Sequence, residues 1–136
     1  MSINLRWKTR TCVSALLACL STVTSAAWVK FGENERLTAF YDEVVPDNSG
    51  AALVWVMFDY KVEQTSPRSG RTYFSEKARH EVDCLAARSR TVFFTWHQGH
   101  MGDGRIVYTG SAPLPWEPNS PNSIARALTL AICPRR

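Results

Sequence analysis

The residues best suited to chemistry are gathered in FFTWHQGHMGDGRIVY, Phe93 to Tyr108, where His97, His100, Met101 and Asp103 are interleaved with Gly99, Gly102 and Gly104. Imidazole, thioether and carboxylate together suit a soft or intermediate metal such as copper or zinc. The spacing, however, follows no established ligand pattern, and no third histidine lies nearby. The glycines lack both the G-x-G-x-x-G order and the Lys-Ser or Lys-Thr that a phosphate loop requires. Nucleophilic catalysis has no better footing, because the chain contains no G-x-S-x-G elbow. Glu81 and Asp83 share a strand face as a carboxylate pair would, but Lys77 and Arg79 lie on the same face, and ordinary charge pairing accounts for all four. His80 sits among apolar neighbours, as hydrogen-bonded core histidines do. A non-enzymatic protein without metal or other cofactor is expected, its glycines making a tight connection between two strands.

The first residues bear on how charge and cysteine are interpreted. MSINLRWKTR carries Arg6, Lys8 and Arg10 with no acid, TCVSALLACLSTV is apolar, and TSAA supplies small residues before Trp28. This is the layout of a secretory signal peptide. The expected division is a leader over 1–26 and one domain over 27–136, a length too short for two well-buried cores. A second processing site competes, since Leu16-Leu17-Ala18-Cys19 resembles a lipobox that would lipidate Cys19 and tether the chain to a membrane. Cleavage after Ala26 or Ala27 fits better, because the apolar run ahead of Cys19 is short. That run also falls below the roughly 18 residues of a spanning helix. The formal charge is +4, but the leader holds three of the 16 basic residues and none of the 12 acidic ones. Without it the chain is nearly neutral, and nucleic acid is not an expected partner.

Export leaves Cys84 and Cys133 as a lone pair in an oxidising compartment, where a disulfide is the default. Strand patterns run through WVKF (28–31), LTAFYDEVV (37–45), AALVWVMFDYK (51–61), TYFSEKARHEVDCLA (72–86), TVFFTW (91–96) and RIVYTG (105–110). The third is apolar on both faces, with Val54, Val56, Phe58 and Tyr60 on one side and Leu53, Trp55 and Met57 on the other, so it should be central and covered on each side. The fourth has enough charge to pass for a helix, but its alternation predicts a strand with Ala78, His80, Val82 and Cys84 facing inward. The proline-rich APLPWEPNSP should be an extended connector. Ile124, Ala127, Leu128, Ala131 and Ile132 then form one helical stripe, with Ser120 as the expected cap and Pro121 as the first helical residue. The fold class is therefore α+β: an antiparallel sheet of about five to six strands, one C-terminal helix packed on a face, and a single disulfide stapling the two layers.

One local imbalance survives removal of the leader. Arg68, Arg71, Lys77, Arg79, Arg88 and Arg90 face three acids, Glu76, Glu81 and Asp83, between positions 68 and 90. Such a strip suits acidic partners, including sulfated glycans and acidic protein segments. A plain solvated sheet face is the competing reading.

The collinear set WVMFDYKVEQ (55–64), SEK (75–77), EVDC (81–84), Arg88 and Arg90, GHMGDG (99–104), PWEP (115–118), SPNS before the helix and the final Cys133 resembles the surface-adhesin protein E family. The resemblance implies an antiparallel sheet with a C-terminal helix, export beyond the inner membrane of a Gram-negative bacterium, and adhesion to host extracellular-matrix proteins or epithelial surfaces. It also implies a homodimer as one available assembly, some members being dimers. The alternative for function is an accessory envelope protein with no host ligand. The chain departs from the family at Trp96-His97-Gln98-Gly99 and in PNSPNS, both of which alter loop surfaces more than core.

Overall fold

A computed structural model describes residues 27–111 and 113–135. The expected leader and Cys19 lie outside the described residues. The strands are β1 (Val29–Glu33), β2 (Leu37–Pro46), β3 (Ala51–Thr65), β4 (Thr72–Asp83), β5 (Arg88–His97), β6 (Ile106–Gly110) and β7 (Glu117–Pro118), followed by helix α1 (Ile124–Ile132). The first six form an antiparallel meander in chain order, and β7 adds two residues beside β5. β6 pairs with the C-terminal half of β5 and β7 with its start, so the two short strands share one edge. Residues 113–116 carry no regular structure and β7 pairs only along an edge, as expected of a proline-rich segment that cannot enter a central ladder.

Alternation decides which side chains meet the helix. Val54 and Val56 of β3, Val82 of β4 and Leu128 of α1 form the buried centre, with Phe31, Tyr41, Phe58, Ile132 and the two cysteines packed around it. Cys84 and Cys133 are bonded, joining the end of β4 to the end of α1. β3 runs to Thr65, further than its apolar pattern indicates, because pairing resumes at Gln64↔Tyr73 and Thr65↔Thr72 after a register shift.

The helix begins later than Ser120. Ser123 is the cap, its Oγ accepting from the Arg126 N–H at 3.1 Å. Asn122 has φ +58°, which no helical residue adopts, so Pro121 and Asn122 belong to a turn. Ser120 closes that turn through its carbonyl, which accepts from the Ser123 hydroxyl at 2.6 Å.

The second face of β3 is covered in part by the stretch between β5 and β6. His100–Gly102 forms one 3-10 turn that folds back over the sheet. Ser75 Oγ donates to the Gly99 carbonyl at 2.6 Å and accepts from Gly102 N–H at 2.8 Å, and Asp59 Oδ1 accepts from Met101 N–H at 2.8 Å. Met57 is fully buried beneath it. Gly102 has φ +77°, and a Cβ there would lie 2.8 Å from Met57 Cε and 3.0 Å from Lys77 Cδ. Gly102→Ala is therefore expected to destabilise the fold by about 1–2 kcal/mol, and an unchanged urea midpoint would contradict this seating of the turn. Gly99 serves differently: its φ is −100°, and its place is set by contact with the Asp103 backbone rather than by a positive φ.

Candidate functional site

On β4, Lys77, Arg79, Glu81 and Asp83 alternate with the inward-facing Ala78, His80 and Val82, and they occupy the sheet face opposite α1. Register brings their partners alongside. Arg79 lies between Trp55 of β3 and Phe93 of β5, Glu81 lies opposite Arg90, and Asp83 opposite Arg88.

The cations rest on aromatic rings. The Arg79 guanidinium is 5.2 Å from the Trp55 ring centre, and Lys77 Nζ lies 6.0 Å from Trp55 and 5.8 Å from Trp28. Trp55 and Phe93 meet edge to face at 6.1 Å. Arg88 and Arg90 both lie over Trp116 of the connector, at 4.7 and 4.5 Å. Each such contact contributes about 0.5–1 kcal/mol at an exposed site, and the rings fix where the charges sit.

Acids share the face. Arg79 pairs with Glu43 at 3.4 Å, Arg88 with Asp83 at 3.2 Å and Arg90 with Glu81 at 2.7 Å, whereas Lys77 makes no ion pair among the described residues. Backbone N–H bonds, first from Ala86, hold the Asp83 carboxyl below the usual carboxylate range, with Arg88 adding to the effect. Glu81 and Asp83 thus act as partners for arginines. Accessibility falls along the set, the Arg88 side chain being 47% exposed, that of Arg90 30% and that of Arg79 19%.

The six-residue basic strip is therefore divided. Lys77, Arg79, Arg88 and Arg90 share the face opposite α1. Arg71 is exposed in the turn before β4, and Arg68 lies 5.8 Å over Tyr108. Tyr108 belongs to a different aromatic group, with Phe94 and Trp96. Glu76, one of the acids counted with the strip, projects to the helix side, where its Oε2 accepts from Trp96 Nε1 at 2.8 Å. Alternation from Lys77 already assigns Glu76 to that side. Trp28, Trp55, Phe93 and Trp116 were not among the candidate site residues. Trp55 carried the period-two signal of the second face, but Trp116 gave none, because its position depends on how the connector follows β5.

The two histidines of the glycine-rich stretch serve separate contacts. His97 is buried, its Nε2 2.8 Å from Thr95 Oγ1, and burial lowers its pKa. His100 Nδ1 is 3.1 Å from Asp59, and its ring lies 4.5 Å from that of Phe74. Among the described residues no group of three or more His, Cys, Asp or Glu side chains is placed to hold a metal ion, and no helix is long and apolar enough to cross a membrane.

A family model described as surface-adhesin protein E matches residues 28–134. Solved structures of Haemophilus influenzae protein E share the architecture. One is 12% identical, with 78% of this chain and 83% of that one aligned at a TM-score of 0.60. A second crystal form, also 12% identical, covers 78% of this chain and 86% of that one at 0.62. Protein E from a non-typeable strain is 13% identical, with coverages of 82% and 78% and a TM-score of 0.60. At this level of identity the likeness is one of fold. No curated protein matches the chain.

Proposed function

Because the chain belongs to the surface-adhesin protein E family, we propose that it is an exported, non-catalytic binding protein that holds an acidic ligand against the sheet face opposite α1. The ligand class is a host matrix protein with acidic segments or a sulfated glycan, which present the same anionic groups to the same cations. The observation that carries this reading is the set of four cations, Lys77, Arg79, Arg88 and Arg90, positioned on Trp28, Trp55 and Trp116. Their ion pairs with Glu43, Glu81 and Asp83 are surface pairs, each worth about 0–1 kcal/mol, so a ligand carboxylate or sulfate can replace them at little cost. The indole and phenyl surfaces add apolar area for a sugar ring or a side chain.

The test compares the protein with an Arg79→Glu/Arg88→Glu variant for binding to immobilised extracellular-matrix proteins and to heparin, at low and high salt. Wild type should bind and weaken with salt, and the variant should bind about tenfold or more weakly, a loss of about 1.4 kcal/mol or greater. Circular dichroism of the variant checks that it is folded. Undiminished binding by the folded variant, or no binding by wild type, would overturn the proposal.

A further inference from the structure

A cavity of about 260 Å³ lies between α1 and the sheet, walled by Phe31, Leu37, Phe58 and Tyr60 on one side and Ile124 and Leu128 on the other. Glu76 and His80 also line it. The Glu76 carboxylate has one fixed partner, the Trp96 indole N–H, and no Lys or Arg forms an ion pair with it among the described residues.

This is an unusual place for a glutamate. Glutamine would accept the same indole bond without bringing a charge into an apolar wall, a step that costs several kcal/mol for an unpaired ion. Burial accordingly raises the Glu76 pKa and lowers that of His80 to about 4, so His80 is neutral at pH 7 and offers no countercharge. Burial likewise keeps the Tyr60 phenol protonated. A hydrophobic pocket with a single carboxyl group in its wall is complementary to a hydrophobic molecule with a single amine, which pairs with that carboxyl as its ammonium.

We propose that this cavity binds a small apolar molecule bearing one protonated amine, its ammonium on Glu76 and its hydrocarbon among Phe31, Phe58 and Leu128. The volume lies just below the roughly 300–1,000 Å³ usual for ligand sites, which restricts the ligand to a small molecule. Such a ligand would supply the countercharge that the fold withholds. The site lies across the sheet from the cation-bearing face, so its occupancy is independent of the adhesive reading.

The probes are phenylbutylamine, phenylbutanol and phenylbutyrate, titrated at pH 7 into the disulfide-intact protein by calorimetry, with the Trp96 indole N–H followed by NMR. The amine should bind about tenfold or more tightly than the alcohol, bind far more tightly than the acid, and shift the Trp96 signal. Glu76→Gln should abolish the preference for amine over alcohol. Ala125→Leu, which fills the cavity from the helix side, should weaken amine binding while leaving the circular dichroism spectrum unchanged. Equal binding of amine and alcohol, no binding of any probe, or an amine preference retained in Glu76→Gln would overturn the proposal. So would undiminished amine affinity in Ala125→Leu.

Discussion

Replacing Cys84 and Cys133 together by alanine is expected to lower the unfolding free energy by about 4 kcal/mol. The bond closes a loop with a sequence separation of 49 residues, and in the chain-entropy description opening it returns that closure entropy to the unfolded chain. The loss is severe for this domain for two reasons. A helix of nine residues is only marginally stable in isolation and depends on its packed face. That face, centred on Leu128, is held to the sheet at its C-terminal end by the disulfide. Small domains have about 5–15 kcal/mol in total, so the variant should lie close to its unfolding threshold. Urea unfolding of the double variant against the oxidised protein measures the effect, and a loss below about 1 kcal/mol would show that the staple is dispensable.

The second large effect concerns pH. Between pH 6.5 and 4 the wild type is expected to lose about 2–3 kcal/mol of stability that a His80→Phe variant keeps. His80 is packed edge to face against Phe58 at 5.9 Å, with Thr91 Oγ1 3.5 Å from its Nε2. Burial lowers its pKa from 6.5 to about 4. The folded state therefore holds a neutral ring in a range where the unfolded state takes up a proton. The stability contributed by the neutral ring is complete above pH 6.5 and disappears as the pH falls through that window. Glu76 acts with the opposite sign: burial raises its pKa, and its protonated form favours the fold as the pH falls. Glu76 is present in both proteins, so the difference between them isolates His80. Parallel stability-versus-pH curves for wild type and variant would contradict the assignment.

Much of the scaffold was legible because it is local. Period-two alternation separates Ala78, His80 and Val82 from Lys77, Arg79 and Glu81, and it correctly makes β4 a strand despite its charge. The helical stripe through Leu128 and the pairing of the only two cysteines beyond the expected leader were legible for the same reason. The start of the helix was not, because Ser120 and Ser123 are equally good caps by composition and the choice rests on the backbone of Asn122. The site was half legible. Lys77 and Arg79 follow from alternation, but the register shift between Arg79 and His80 sets which β5 residues stand beside them, and such shifts leave little local trace. Trp116 reaches Arg88 and Arg90 only because the connector runs back along β5, where Leu114 N–H bonds to the Thr91 carbonyl and Asn119 N–H to that of Ala87. The glycine-rich stretch shows the same limit. Its role as a connection is plain from its neighbours, whereas its seating over Met57 through Asp59 and Ser75 is a contact across 24 to 42 residues of chain.

Ligand binding on the sheet face opposite α1 is tested most directly by an amide and indole NMR titration of the protein with a heparin oligosaccharide. Saturable shifts are expected at Lys77, Arg79, Arg88 and Arg90 and at the indole N–H groups of Trp55 and Trp116, with the amides of α1 unmoved. Shifts centred on α1 and Leu128, or no saturable change on the cation-bearing face, would contradict binding there.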